Sequence, residues 1–255
     1  MTYGTHHEKE HARNKAGATD RETAGACGRL LKHRGTFITL EGIDGTGKST
    51  QFRRLVSHLR KSGHRVRATR EPGGTVVGEQ IRRILLRRSQ RARQQAPTPL
   101  AELALMYAAR AQHLEEVVRP ALERGEIVVS DRFNDASFAY QGFGRGLGRQ
   151  RVKTLDRLIC GQTQPDLTLL FDLDPRRALR RARGRDAHRN QRHGRFEAEG
   201  IGFQERVRAG YLAIARREPG RVRVVHADRS PGEVAREIRE IVVAFLDRRF
   251  LRKQN

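Results

Sequence analysis

Tryptophan is absent from the 255 residues, Phe, Tyr and Trp together make up 5% of them, and only two are cysteine. So few rings weaken a reading as a single-strand nucleic-acid binder, which needs aromatic faces for successive bases. Two cysteines, Cys27 and Cys160, cannot build a disulfide scaffold or a four-ligand zinc site. No apolar run approaches the roughly 18–20 residues of a membrane-spanning helix. Residues 1–34 lack the apolar segment of a secretory signal, and Glu8, Glu10, Asp20 and Glu22 interrupt the basic residues that an organelle-targeting peptide would need. Acidic residues are scarce relative to basic ones: 29 Asp+Glu stand against 52 Lys+Arg, leaving a formal charge of +23. The expectation is a soluble, cytoplasmic protein.

A charge of that size invites a nucleic-acid reading, so its distribution matters. Residues 1–34 hold seven basic and four acidic residues, leaving most of the excess on the remainder. The densest stretch carries Arg176, Arg177, Arg180, Arg181, Arg183, Arg185, Arg189, Arg192 and Arg195, opposed only by Asp186. Such a run serves equally as a seat for a polyanion or nucleotide phosphates and as a solvated face.

The length suits one large α/β domain or two small ones. Residues 1–34 are polar without apolar period and read as a disordered extension. Thr36–Glu41 reads as a strand, and Phe52, Leu55, Val56 and Leu59 form the stripe of a helix that Gly63 stops. Further strands are expected at Val66–Thr69, Ile127–Ser130, Leu167–Phe171 and Val222–Val225. Helices are expected at Gly78–Arg88, Leu100–Glu123, Arg149–Gly161, Arg176–Arg183, Gln204–Arg217 and from the Ser230–Pro231 cap to about Phe250. Strands alternating with helices predict an α/β fold, a five-stranded parallel sheet covered on both faces, over residues 35–250 with a basic tail at 251–255.

The segment Gly42-Ile43-Asp44-Gly45-Thr46-Gly47-Lys48-Ser49 matches G-x-x-x-x-G-K-[ST] between a strand and an amphipathic helix. Glycines let successive N–H groups turn toward phosphate oxygens, and the helix start adds the positive end of its dipole. Lys48 reaches outer phosphates and the Ser49 hydroxyl suits Mg²⁺. The guanine-reading N-K-x-D is absent. After the second strand comes Arg70-Glu71-Pro72-Gly73-Gly74-Thr75, either a phosphate-facing loop or an ordinary one with solvated charges. After the third comes Asp131-Arg132-Phe133, where a carboxylate suits Mg²⁺ through water and a guanidinium suits an oxyanion, or the two make a surface ion pair. Ser137, Tyr140 and Gln141 offer the hydroxyls, ring and amide that hold a nucleoside. Arg110, on the long helix, faces either the sheet edge or water.

In order and spacing, LEGIDGTGKST, TREPGGT, YAARAQHLEEVVRPALERG, SDRF, AYQGFGRGL, QPDLTLLFDLD and RFEAEG resemble the thymidylate kinases, P-loop nucleoside monophosphate kinases, from about Gly35 to Phe250. The resemblance implies transfer of the ATP γ-phosphoryl group to dTMP with Mg²⁺, giving dTDP, by a homodimer with no membrane and no specific nucleic-acid partner. Gly42, Ile43, Asp44, Gly45, Thr46, Gly47, Lys48, Ser49 and Thr50 would hold ATP, with Ser49 and Asp131 toward the metal. Asp44, Arg70, Met106, Arg110, Arg132, Ser137, Tyr140 and Gln141 would meet dTMP. Lys48, Asp131 and Arg132 would act in catalysis, joined by Arg183 and Arg185. Gly45 stands where one branch of the family carries arginine. The chain therefore resembles the mostly bacterial branch, in which arginines of a mobile lid, here residues 184–195, do that work. Met106 stands where the family often has phenylalanine, with Tyr107 and Phe133 nearby as substitute faces for the base. The alternatives are a kinase of another nucleoside monophosphate or of a deoxynucleoside, and an ATPase that binds nucleic acid.

Overall fold

The computed structural model describes residues 35–87, 96–188 and 195–254; the extension read at residues 1–34 lies outside the described residues. β1 (Thr36–Glu41) is buried along its whole length, as its run of β-branched and aliphatic residues predicts. Ile38 and Leu40 enter one apolar layer and Phe37 the other, the alternation that a strand imposes. α1 (Lys48–Lys61) follows, burying Leu55, Val56 and Leu59. β2 (Val66–Arg70), α2 (Val76–Leu86), β3 (Ile127–Asp131), β4 (Leu167–Asp172) and β5 (Val222–His226) complete the alternation around the sheet.

All pairings are parallel, in the order β2-β3-β1-β4-β5. The chain leaves β1 toward one edge of the sheet and leaves β3 toward the other. A crevice therefore opens between their carboxyl ends, which is where ligands sit in open α/β sheets. Register brings the motif residues to that rim: Leu40 lies opposite Asp131, and Asp131 opposite Arg70.

Helical readings change in detail at several places; the helix expected over Arg176–Arg183, for one, runs on to His188, into residues read as part of the lid. The helix expected from Leu100 to Glu123 is α3 (Pro99–His113), a π turn (Leu114–Val118) and α4 (Arg119–Glu123). Pro120 has no N–H for the carbonyl of Glu116 and its ring crowds that carbonyl, so the turn widens and Arg119 N–H bonds Leu114 O instead. A second widened stretch follows α5 (Asn134–Ser137), with Phe138–Gly144 in π geometry. α6 (Arg149–Ile159), α7 (Pro175–His188) and α8 (Ile201–Arg217) precede the last helix. That helix, α9 (Pro231–Gln254), overruns the expected end near Phe250, so most of the supposed tail is helical. A reciprocal cap starts it, Ser230 N–H donating to Glu233 Oε2 at 2.9 Å and Glu233 N–H to Ser230 Oγ at 3.3 Å.

Cys160 is buried beside Phe37, Leu103 and Tyr107 as a small packed residue. Among the described residues no helix is long and apolar enough to cross a membrane.

Candidate active site

Two cavities open at the carboxyl rim of the sheet. The larger, about 720 Å³, is walled by the β1–α1 loop with Lys48 and Ser49, and by Arg70, Asp131 and Arg181. The smaller, about 220 Å³, is lined by Met106, Arg110, Ser137, Tyr140 and Gln141, with Phe133 and Phe196. Asp44, Glu71, Arg82 and Arg132 belong to both walls, so the cavities meet.

The loop's backbone explains its sequence. Gly45 has φ 85°, and a Cβ there would lie 2.0 Å from Ala178 O of α7. No side chain fits that position while α7 keeps its place, which agrees with the glycine-bearing pattern read from sequence. Lys48 is buried, its Nζ donating to Gly42 O at 2.7 Å and Ile43 O at 2.9 Å. Burial, aided by the charge of Arg132, pushes its ammonium down from 10.5 to about 8.

Arg132 joins the two cavities. It adopts φ 76°, a left-handed backbone that a side chain of this size takes only when its surroundings enforce it. The enforcement is visible on both sides. Arg132 N–H donates to Leu40 O at 3.0 Å, and the next amide, Phe133 N–H, donates to Glu41 Oε1 at 2.7 Å. The guanidinium donates to Asp44 Oδ1 at 2.6 Å, Tyr211 OH at 3.2 Å and Tyr140 OH at 3.3 Å, and stacks over the Tyr140 ring at 5.0 Å. Glu41 also accepts from Tyr211 OH at 2.7 Å; burial, then the charge of Asp135, pushes its carboxyl up to about 8.

Arg110 faces the sheet edge, not water, and is 2% exposed. Its Nε donates to Glu71 Oε2 at 2.8 Å, Nη1 to Ser137 Oγ at 3.1 Å and Nη2 to Phe133 O at 3.0 Å. Glu71 also meets His113 Nδ1 at 2.8 Å, while His113 Nε2 lies 2.6 Å from Thr69 Oγ1. Burial alone would raise the Glu71 carboxyl, but Arg110 and His113 outweigh it and hold it below the ordinary range. The REPGGT charges thus divide. Glu71 is internal, whereas Arg70 is half-exposed, pairs with Glu79 at 2.8 Å and lines the larger cavity only.

Asp131 carries a buried Oδ1 without a hydrogen-bond partner among the described residues. It shares the larger cavity with Ser49. Among the described residues no group of three or more His, Cys, Asp or Glu stands ready to enclose a metal. Of the two arginines assigned to the lid's work, Arg183 lies on α7, is exposed and lines neither cavity; residues 184–188, expected in the lid, continue α7, while the Arg185 side chain and residues 189–194 lie outside the described residues. Arg181 lines the larger cavity instead and donates to Ala227 O at 2.8 Å. Met106 does line the smaller cavity. Phe133 accompanies it there, whereas Tyr107, buried in the same apolar cluster as Phe133, does not line the cavity.

Several residues at or behind these walls had no role assigned to them from sequence. Arg82, at both walls, donates to Pro72 O at 2.8 Å; in so arginine-rich a chain nothing distinguished it. Glu41 and Tyr211 are brought together across 170 positions, and Glu102, Arg195 and Phe196 likewise converge only in three dimensions.

The sequence model of a family described as "Thymidylate kinase" matches residues 40–238. A thymidylate kinase of Trichlorobacter lovleyi is 50% identical over 211 residues, spanning 82% of this chain and 98% of that protein. One from Pseudomonas syringae is 50% identical over 200 residues, 78% of this chain and 91% of that one. The crystal structure of thymidylate kinase from Ehrlichia chaffeensis superposes with a TM-score of 0.64 at 31% identity, covering 82% of this chain and 98% of that chain.

Proposed function

The chain belongs to the thymidylate kinase family, and we propose that its paired cavities bring ATP and dTMP end to end, moving the γ-phosphoryl group onto the dTMP phosphate to give ADP and dTDP for dTTP synthesis. The observation that carries this reading is the shared wall: Asp44, Glu71, Arg82 and Arg132 border both cavities. Transfer between two phosphates unites two anionic reactants. It asks the protein for alignment and positive charge more than for covalent chemistry.

ATP lies along the loop from Gly42 to Thr50, its outer phosphates at Lys48 and Arg181. The dTMP base lies in the smaller cavity among Met106, Arg110, Ser137, Tyr140 and Gln141, with its phosphate toward Arg132 and Arg82. The attacking phosphate oxygen is already ionised near neutral pH, so no strong general base is required. Arg132, tied at once to loop residue Asp44 and to Tyr140 of the acceptor pocket, sets the position of one reactant against the other. Arg70 and the lid arginines Arg183 and Arg185 belong to the same reading as charges available to the phosphates.

Mg²⁺ fits this donor set. Ser49 and the orphaned Asp131 Oδ1 share the larger cavity, and so sparse a protein shell suits an ion that keeps waters and takes substrate phosphates as ligands. When bound, the ion neutralises charge on the transferring phosphates. A cytoplasmic homodimer is part of the proposal, as the family resemblance implies.

A coupled assay of ADP release across dTMP, dUMP, dCMP, dGMP and thymidine, with and without Mg²⁺, tests the function. The expected result is fastest turnover with dTMP and dependence on Mg²⁺. ADP release indifferent to these acceptors but stimulated by DNA or RNA would replace the reading with the nucleic-acid ATPase.

A further inference from the structure

Gln141 stands on the widened turn Phe138–Gly144 and lines the smaller cavity. Its amide is not free to choose an orientation. Nε2 donates to Glu102 Oε1 at 2.7 Å, and among the described residues no protein donor reaches the amide carbonyl, Oε1. Glu102 lies in the first turn of α3 and is fully buried. Arg145 donates to it through Nε, 3.2 Å from each carboxylate oxygen, and through Nη2, 3.0 Å from Oε2. Arg195 Nη2 lies 2.7 Å from the same Oε2. Guanidiniums only donate, so Glu102 accepts on every side. A neighbouring amide must therefore turn its NH₂ toward Glu102. The opposite rotation would set a carbonyl oxygen against a carboxylate with no proton between them, an expensive arrangement where water is excluded.

We propose that Glu102 is a positioning residue that sets which base edge the acceptor pocket takes, by holding the Gln141 carbonyl available as a hydrogen-bond acceptor; this rests on the reading of the smaller cavity as the acceptor-nucleotide site. With that acceptor and the Arg110 donor on one wall, the pocket matches an edge carrying a ring N–H beside a carbonyl, the imide edge of thymine and uracil. Cytosine presents the reverse: its ring nitrogen lone pair meets the Gln141 carbonyl and its amino group meets Arg110. A pocket whose buried polar groups are left mispaired rejects such an analogue steeply. In Glu102→Gln the side chain acquires an NH₂ of its own, so Gln141 is released to turn either face inward.

The test is the ratio of kcat/KM for dTMP to that for dCMP, with dUMP as a third acceptor that shares the imide edge. In Glu102→Gln the dTMP/dCMP ratio is expected to fall at least about tenfold while the dTMP/dUMP ratio stays within about twofold. In a Gln141→Met background the same substitution is expected to leave the dTMP/dCMP ratio unchanged, because the group it acts through is gone. A uniform loss of rate on all three acceptors, with ratios preserved, is what a merely structural Glu102 gives and overturns the proposal. A crystal structure of the unaltered chain with dTMP decides the matter even if Glu102→Gln does not fold. Thymine N3 is expected within hydrogen-bond distance of the Gln141 amide while the amide's other end stays on Glu102; a base edge out of reach of Gln141 overturns it. An unaltered chain that phosphorylates no nucleoside monophosphate refutes the proposed function itself, a different failure from preserved ratios.

Discussion

At the scale of the residue, burial is what gives single charges their effect. Lys48 must be protonated to meet phosphates, yet in the free chain its ammonium is held near 8 because water is excluded around it. The charged form is lost as pH rises through that value, so kcat/KM for ATP is expected to decline above about pH 8, a limb that reports the free enzyme. Bound ATP brings negative charge that restores the proton, so kcat itself should hold to higher pH. A kcat/KM that stays flat from pH 7 to about 9.5 contradicts the assignment. Lys48→Met is expected to lose roughly 10²–10³ in kcat with an unchanged circular dichroism spectrum; retained turnover in a folded protein removes Lys48 from the mechanism. Glu71 has a structural duty, as the partner of a buried guanidinium. Glu71→Ala leaves Arg110 uncompensated and is expected to cost about 3–5 kcal/mol in denaturant unfolding, and a loss below about 1 kcal/mol would show that Arg110 finds other support. The sequence marked Arg110, Arg132 and Lys48 by motif and spacing. It could not mark Glu41, Arg82 or Glu102, whose importance arises from partners distant in the chain.

At the scale of the element, local pattern located every strand and nearly every helix, because apolar period and glycine punctuation are local properties. What it missed was local irregularity with a tertiary result. The widened turn at Phe138–Gly144 places Tyr140 and Gln141 in the smaller cavity, and Gly210 of α8 admits the Phe143 ring so closely that a Cβ there would lie 2.8 Å from it. The phosphate loop and α7 are in similar contact at Gly45. Gly45→Ala forces both a left-handed alanine, costing about 1–2 kcal/mol, and a displacement of α7 away from the loop. The expected outcome is a lowered Tm together with a raised KM for ATP, since Arg181 on α7 moves with the helix. An unchanged KM for ATP would mean that α7 does not form the wall of the donor site.

At the scale of the whole molecule, the excess of +23 has two destinations. Some arginines are drawn inward onto carboxylates, as Arg110, Arg132, Arg145 and Arg221 are, and others stay exposed, as Arg183 does. Composition alone could not separate these populations; the motifs outside the phosphate-binding loop are what favour a kinase over a nucleic-acid ATPase. A cleft lined by Lys48, Arg70, Arg82, Arg132 and Arg181 would attract the two proposed nucleotides through charge that salt screens. Raising ionic strength from about 0.05 to 0.5 M is therefore expected to increase KM for ATP and dTMP severalfold, with a smaller change in kcat.

The proposed function requires two nucleotides to meet end to end across the wall formed by Asp44, Glu71, Arg82 and Arg132. A crystal structure of the chain with a non-hydrolysable ATP analogue, dTMP and Mg²⁺ tests it most directly. The predicted result is the analogue along Gly42–Thr50, thymine in the cavity of Met106 and Gln141, and the dTMP phosphate beside Arg132, facing the terminal phosphorus of the analogue. A dTMP molecule bound elsewhere, with its phosphate out of reach of that phosphorus, would contradict it.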